Sequence, residues 1–388
     1  HIGSKEDILA RIEYGRPFEH YDFSYTIKAP KQEVQHQTAK LHYQYKINDD
    51  AKIEAQYSFQ RNHRKEFDLR RVLEDNIPMA DIILSTQQLE LVYKRLHTEA
   101  GISGTLQVNN NKPGTGSTPF IPNFDNHTFG VFISQKVPFG KNLFELGVRY
   151  DHKYFDAAGY RYDYENPNAD GSIDQYLLED KKTFNNVSAV AGIAIPLTSA
   201  LVWKSNIGLA WRAPSANELY SDGIHHGTGT YEIGNKNLKS EKGLKWVNTL
   251  LWDSKIVHAH LDLFTQVIGD YIYSQPNPDS TRQTIRGTFP LFQYEQGNAL
   301  FYGLDYSMRI NIAESWSYEL GVALVRAKNT TTEAYLPYIP SDRYRQAIRY
   351  TIPLKKLTDS YVKLEQVFQD KQRRYTVGTD FAAPPNAY

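Results

Sequence analysis

The feature that most constrains this chain is a rhythm in its connections. Segments of alternating apolar and polar residues are joined in turn by tight turns and by long polar stretches. Tight turns are expected at 48–50, near 99–100, and at 140–141, 198–200, 253–255, 313–315 and 355–359. Between them lie 69–84, 109–124, 155–183, 213–240, 273–298 and 329–341, several of them rich in Gly, Asn, Asp and Pro. A sandwich surrounded by water has no reason to keep every second connection short. A sheet that crosses a bilayer does, because its strands run alternately down to tight turns and up to long loops.

The segments themselves have a period of two. Phe144, Leu146, Val148 and Tyr150 share one face, and Glu145, Gly147, Arg149 and Asp151 the other. Val257, Ala259, Leu261 and Leu263 oppose His258, His260, Asp262 and Gln266, and Trp316, Tyr318, Leu320, Val322 and Leu324 oppose Ser317, Glu319, Gly321 and Ala323. Such alternation marks strands with one apolar and one polar face. Stretches such as 51–68 and 256–272 exceed the five or six residues usual in soluble sheets, and a tilted spanning strand needs about 9–11. The fold class this predicts is an all-β, transmembrane, antiparallel β-barrel, with about fourteen strands in this chain. A mean hydropathy of −0.56 is no obstacle, since only every second residue of such a strand faces lipid. The 28 Tyr, 18 Phe and 5 Trp suit aromatic girdles at two interfaces.

Other classes are excluded more simply. The chain has no Cys, which removes a disulfide scaffold and a thiolate metal site. Lys and Arg number 44 against 44 Asp and Glu, a balance that argues against a nucleic-acid partner. Ser215, His225 and Asp222 lie close in sequence but lack any nucleophile-elbow pattern, and no enzyme is expected. Residues 4–14 read as a short helix with Ser4 as its N-cap, set in a loop. His1 is not an initiator Met, and the chain reads as an internal piece of a longer protein.

Residues 205–241 read SNIGLAWRAPSANELYSDGIHHGTGTYEIGNKNLKSE. The run Arg212, Ala213, Pro214, Ser215, Glu218, Leu219, Tyr220, followed by Asn235 and Leu238, resembles the barrel signature of TonB-dependent outer-membrane receptors. Further matches at 129–132 (FGVF), 146–150 (LGVRY), 301–305 (FYGLD) and 339–343 (IPSDR) spread the resemblance over nearly the whole chain. Its flavour, including 63–68 (HRKEFD), is similar to receptors of Bacteroidetes-type bacteria. The resemblance implies a barrel of 22 strands around a plug domain, monomeric in outer-membrane lipid. It also implies a connection to TonB through an N-terminal region beyond this sequence. On that template 1–31 is an extracellular loop, 32–377 carries the strands and 378–388 is a second extracellular loop. The parity of the turns leaves about five strands before these and about three after.

Within the superfamily, 218–239 and 270–275 are similar to zinc-uptake receptors of the ZnuD type, and haem receptors share a related layout around a histidine. The implied cargo is a scarce metal or metal complex, zinc first, then haem or a ferric siderophore; the rival from another class is a passive porin. No resident cofactor is implied, because the metal is cargo. Imidazole suits zinc and haem iron, so His225 or His226, beside Asp222 and Glu218, is the candidate ligand. Glu66 and Asp68, two apart near His63, are the candidate carboxylates; their bland reading is a salt-bridge cluster with Arg64, Arg70 and Arg71. His258 and His260 share a face but lie next to the tight turn at 253–255.

Overall fold

The protein is described by a computed structural model covering residues 3–16, 22–68, 77–163, 166–225, 227–284, 287–354 and 360–388. Helix α1 (Lys5–Tyr14) precedes β1 (Lys31–Lys46), β2 (Ala51–Phe67), β3 (Ala80–Arg95), β4 (Thr98–Asn111), β5 (Asn123–Phe139), β6 (Asn142–Tyr162), β7 (Gln175–Pro196) and β8 (Leu201–Arg212). Then come α2 (Ala216–Tyr220), β9 (Asp222–His225), β10 (Thr230–Ile233), β11 (Glu241–Asp253), β12 (Val257–Thr284), β13 (Gly287–Ala313), β14 (Trp316–Asn329), β15 (Arg343–Thr351) and β16 (Tyr361–Gln369). Among the described residues fourteen strands form one antiparallel meander in chain order, β8 pairing with β11 across the β9 and β10 excursion, and only β9 and β10 lie off that path. Among those residues the path runs from β1 to β16 and does not close on itself.

Each strand keeps the two faces that its sequence dictates. Leu146 is 55% exposed, Leu263 48% and Trp246 50%, and all three lie on the apolar face. An apolar surface of this extent is rare on a monomer in water. The other face carries ionic ladders: Glu319 takes Arg345 and Lys363, and Glu365 takes the same two cations.

The sheet curls toward its polar face at the long-loop end. Phe155 and Ala157 of β6 share the parity of Glu145 and Asp151, yet they are buried in one apolar cluster with Leu178, Leu219, Leu238 and Ile272. β6 and β12 are separated by three strands, so the cluster can form only on a concave side roofed by the connections.

Three sequence expectations need correction. The turn expected near 99–100 lies at 96–97, where Leu96 adopts φ 49 in the left-handed region. Nothing in Leu-His advertises that conformation, which Gly or Asn normally supplies. The stretches 155–183 and 273–298 are largely strand: β6 runs on to Tyr162 and β7 starts at Gln175, while β12 and β13 pair as far as Thr284 and Gly287. These extensions mix apolar residues such as Phe155, Leu178 and Leu291 with Gly, Asn, Asp and Pro and lose the clean period of two, which reads as loop. The turn at 355–359 lies outside the described residues. Helix α1 formed as its sequence suggested, with the Ser4 hydroxyl accepting from the Asp7 N–H and the Asp7 carboxylate from the Ser4 N–H.

Candidate functional site

The signature residues build a clamp. β8 ends at Arg212, Ala213 and Pro214 are buried, and Ser215 starts α2. Arg212 donates through Nη1 to both oxygens of Glu218, at 2.7 and 2.9 Å, and through Nε and Nη2 to Glu241, at 2.8 Å each. Glu218 also accepts from the Ser215 N–H at 2.7 Å, and Glu241 from the Ile272 N–H at 2.6 Å. One guanidinium thus fastens the end of β8 to α2, β11 and β12. Burial pushes the Glu218 carboxyl up, but the bonds from Arg212 and Ser215 outweigh it and hold the group below the usual carboxylate range. Leu219 and Tyr220 sit in the apolar cluster, where the Tyr220 ring stacks on Phe155 and its hydroxyl donates to Asp180 at 2.9 Å. The Asn235 N–H closes on the Glu218 carbonyl, and Leu238 joins the same cluster. A Cβ on Gly234 would lie 2.6 Å from the Leu219 and Tyr220 backbone, so only glycine fits there.

This clamp carries a hairpin across the mouth. β9 and β10 pair with each other, and β10 adds in parallel to β13 through Tyr231 opposite Leu291. His225 ends β9. Its Nδ1 lies 2.7 Å from a Glu232 oxygen, and its ring stacks on Phe120 at 5.4 Å. The other Glu232 oxygen accepts from the Tyr294 hydroxyl at 3.3 Å, and that hydroxyl accepts from Asn217 of α2 at 3.1 Å. Glu232 holds the His225 imidazole above the usual histidine range, with burial opposing; Glu66 adds to the rise and Arg64 subtracts.

The structure thus brings Glu66 of β2 within electrostatic reach of His225. Glu66 is 5% exposed and bonded by Arg64 at 3.1 Å, as the bland reading of that cluster foresaw for one of its arginines. Asp68 follows β2 directly. His226, Arg70 and Arg71 lie outside the described residues. His63 points to the opposite face and meets Asp81 at 2.7 Å. His258 and His260 pair with Asp253 and Asp262, a strand's length away. Among the described residues no three His, Asp or Glu side chains converge as a metal-ion group.

Beside His225 opens a cleft of about 460 Å³, lined from the 116–120 connection, the end of β6, the β9–β10 hairpin and the end of β12. Phe120 belongs to it, as does Arg161, which is 2% exposed. Glu232, Tyr294, Phe120 and Arg161 escaped the sequence reading. Only Glu232 left a trace, in the T-Y-E-I alternation after Gly227 and Gly229 that signals a hairpin return.

The family model for TonB dependent receptor-like β-barrels matches residues 8–387. The chain belongs to this family. Receptors of the family transport cargo and are not enzymes, and their barrels are outer-membrane proteins. Solved structures agree on the fold. Copper transporter OprC superimposes with a TM-score of 0.74 at 15% identity, over 92% of this chain and 57% of that one. The ferric-catecholate import receptor Fiu from K12 E. coli gives 0.64 at 15% identity, over 92% and 56%. The Serratia marcescens hemophore receptor HasR, solved as a double mutant with its hemophore HasA and heme, gives 0.63 at 12%, over 87% and 60%. The chain therefore spans less than two thirds of the length of these receptors.

Proposed function

We propose that this chain is the larger part of the barrel of an outer-membrane receptor that captures a scarce metal or metal complex and imports it with energy from TonB. Zinc is the favoured cargo, and haem and ferric siderophores are the alternatives. The apolar face meets outer-membrane lipid and the curled polar face surrounds a plug, with the receptor acting as a monomer. TonB engages a region outside this sequence.

The observation that carries the reading is the His225–Glu232 pair. A metal-binding imidazole characteristically hands its second ring nitrogen to a carboxylate, which fixes the tautomer and raises ligand basicity. Glu232 stands in that place at Nδ1, which leaves Nε2 as the ligating atom. Zinc needs three or four ligands, so the rest of the set comes from Glu66, Asp68 or His226 together with groups outside this chain. Copper, ferric catecholate and heme appear in the names of structures sharing the fold, which supports metal cargo as a class.

The test is to titrate the full-length receptor with zinc, haem and a ferric siderophore, with and without His225→Ala. Loss of affinity for one of the three in the mutant is the expected result. Unchanged affinity would remove His225 from the site, and no binding of any of them would overturn the cargo class.

A further inference from the structure

We propose that Asn217 and Tyr294 are positioning residues for His225: a one-way chain of hydrogen bonds runs from Ser215 through both of them to Glu232 and fixes the carboxylate that orients the imidazole. This rests on the reading of His225 as a metal ligand and deepens it to what holds that ligand in place.

The direction of the chain follows from its last member. A carboxylate only accepts, so the Tyr294 hydroxyl must donate to Glu232, and it has a single hydrogen to give. The Asn217 atom facing Tyr294 must then be the amide nitrogen, which donates to the hydroxyl at 3.1 Å. That leaves the Asn217 carbonyl oxygen for the Ser215 hydroxyl, which donates to it at 2.6 Å. Each donor has its acceptor and no other arrangement satisfies all four groups. The starting end is rigid. Ser215 and Asn217 flank the first turn of α2, the Asn217 backbone carbonyl accepts both the Ser221 N–H and the Ser221 hydroxyl, and the neighbouring Glu218 is held by Arg212.

The far end needs that support. Glu232 sits on β10, a strand of four residues, and its side chain has several rotatable bonds to freeze. His225 engages one carboxylate oxygen and Tyr294 the other, so the plane of the carboxylate is set from both sides. Tyr294 comes from β13, where it lies opposite Ser274 and packs against the apolar cluster. The chain therefore ties the hairpin that carries His225 to two elements outside it, α2 and β13. Partners beyond the ligand itself commonly set a metal-binding imidazole's orientation and basicity.

The test is to titrate zinc calorimetrically into the full-length receptor. Tyr294→Phe removes the hydroxyl and leaves the ring in the cluster, and should weaken zinc binding about fivefold. Asn217→Asp turns the donor into an acceptor that competes with Glu232 for the Tyr294 hydrogen, and should weaken it by a similar factor. Added negative charge alone would strengthen a cation site, so the sign of the Asn217→Asp effect separates the hydrogen-bond chain from the charge. In a Glu232→Ala background neither substitution should change zinc affinity by more than about twofold, whereas a general packing role would persist there. Unchanged affinity in Tyr294→Phe, a gain in Asn217→Asp, or effects that survive without Glu232 would overturn the chain. Histidine-selective NMR of the metal-free receptor gives a readout without cargo, with the His225 signal identified by its loss in His225→Ala. Both variants should move that signal. Movement in a receptor that takes neither zinc, haem nor a ferric siderophore would sink the metal reading and leave the chain standing. Zinc binding lost in His225→Ala but untouched in both variants would sink the chain alone.

Discussion

At the scale of single residues, the mouth depends on two carboxylates that work in opposite directions. Glu232 favours protonated His225, so their pairing is strongest below the ordinary histidine pKa and fades as the pH rises through the elevated value in the folded protein. A metal at Nε2 competes with that proton. Zinc affinity of the full-length receptor should therefore begin to fall at a higher pH on acidification than for an ordinary histidine site. Glu232→Gln should move the midpoint downward and also lower affinity above it; a midpoint that does not move would show that Glu232 does not govern the imidazole. Glu218 is the opposite case. Its pKa is depressed, so its contribution is complete above the unfolded carboxylate value and is lost as the pH drops through the folded one. Arg212→Ala leaves Glu218 and Glu241 without their shared cation, at a cost of about 2 kcal/mol once the partial exposure of Arg212 is allowed for. Amide hydrogen exchange reads this directly, because the Ile272 N–H bonds to Glu241 and should lose protection. Unchanged protection there would mean the clamp holds little.

At the scale of elements, what the sequence made legible follows from which surroundings each face meets. β6, β12 and β14 could be read because one face is apolar and the other polar, and a one-residue slip would exchange the two. The upper halves of β12 and β13 could not, since the run of Ser, Asn, Asp and Pro in 274–280 and the adjacent apolar pair Leu291 and Phe292 break the period. Arg212 and Glu218 are legible because both stand in the short signature run 212–220, whose resemblance to a known family singles them out. The Glu232 partnership with His225 is not, because it exists only after β9 and β10 have paired. The face assignment can be tested on one strand. Leu263→Arg places a charge on the apolar face of β12 and should cost about 2–4 kcal/mol if that residue sits near mid-bilayer. Gln266→Arg, on the polar face, should cost far less. Folding yield into lipid vesicles, read from the heat-modifiable shift of the folded band on gels, separates the two. Equal tolerance of both would contradict a lipid-facing side at Leu263.

At the scale of the whole molecule, the alternation of turns and loops makes a claim about sidedness that no single strand can make. The connections holding α2, the β9–β10 hairpin and the cleft all lie at one end of the meander, and the turns at 140–141 and 96–97 lie at the other. If cargo is captured by the first set, that end faces outward and the turns face the periplasm. This chain has no cysteine, so an introduced one is the single thiol within it, and the receptor without the substitution gives the background. Ala169→Cys sits on the exposed connection between β6 and β7, and Lys141→Cys on the turn between β5 and β6. A membrane-impermeant maleimide added to intact cells making the full-length receptor should label the first and spare the second, which reacts only after the outer membrane is opened. Labelling of the second alone would invert the molecule and place His225 on the wrong side for capture. Labelling of both in intact cells would mean that this sheet does not separate two compartments.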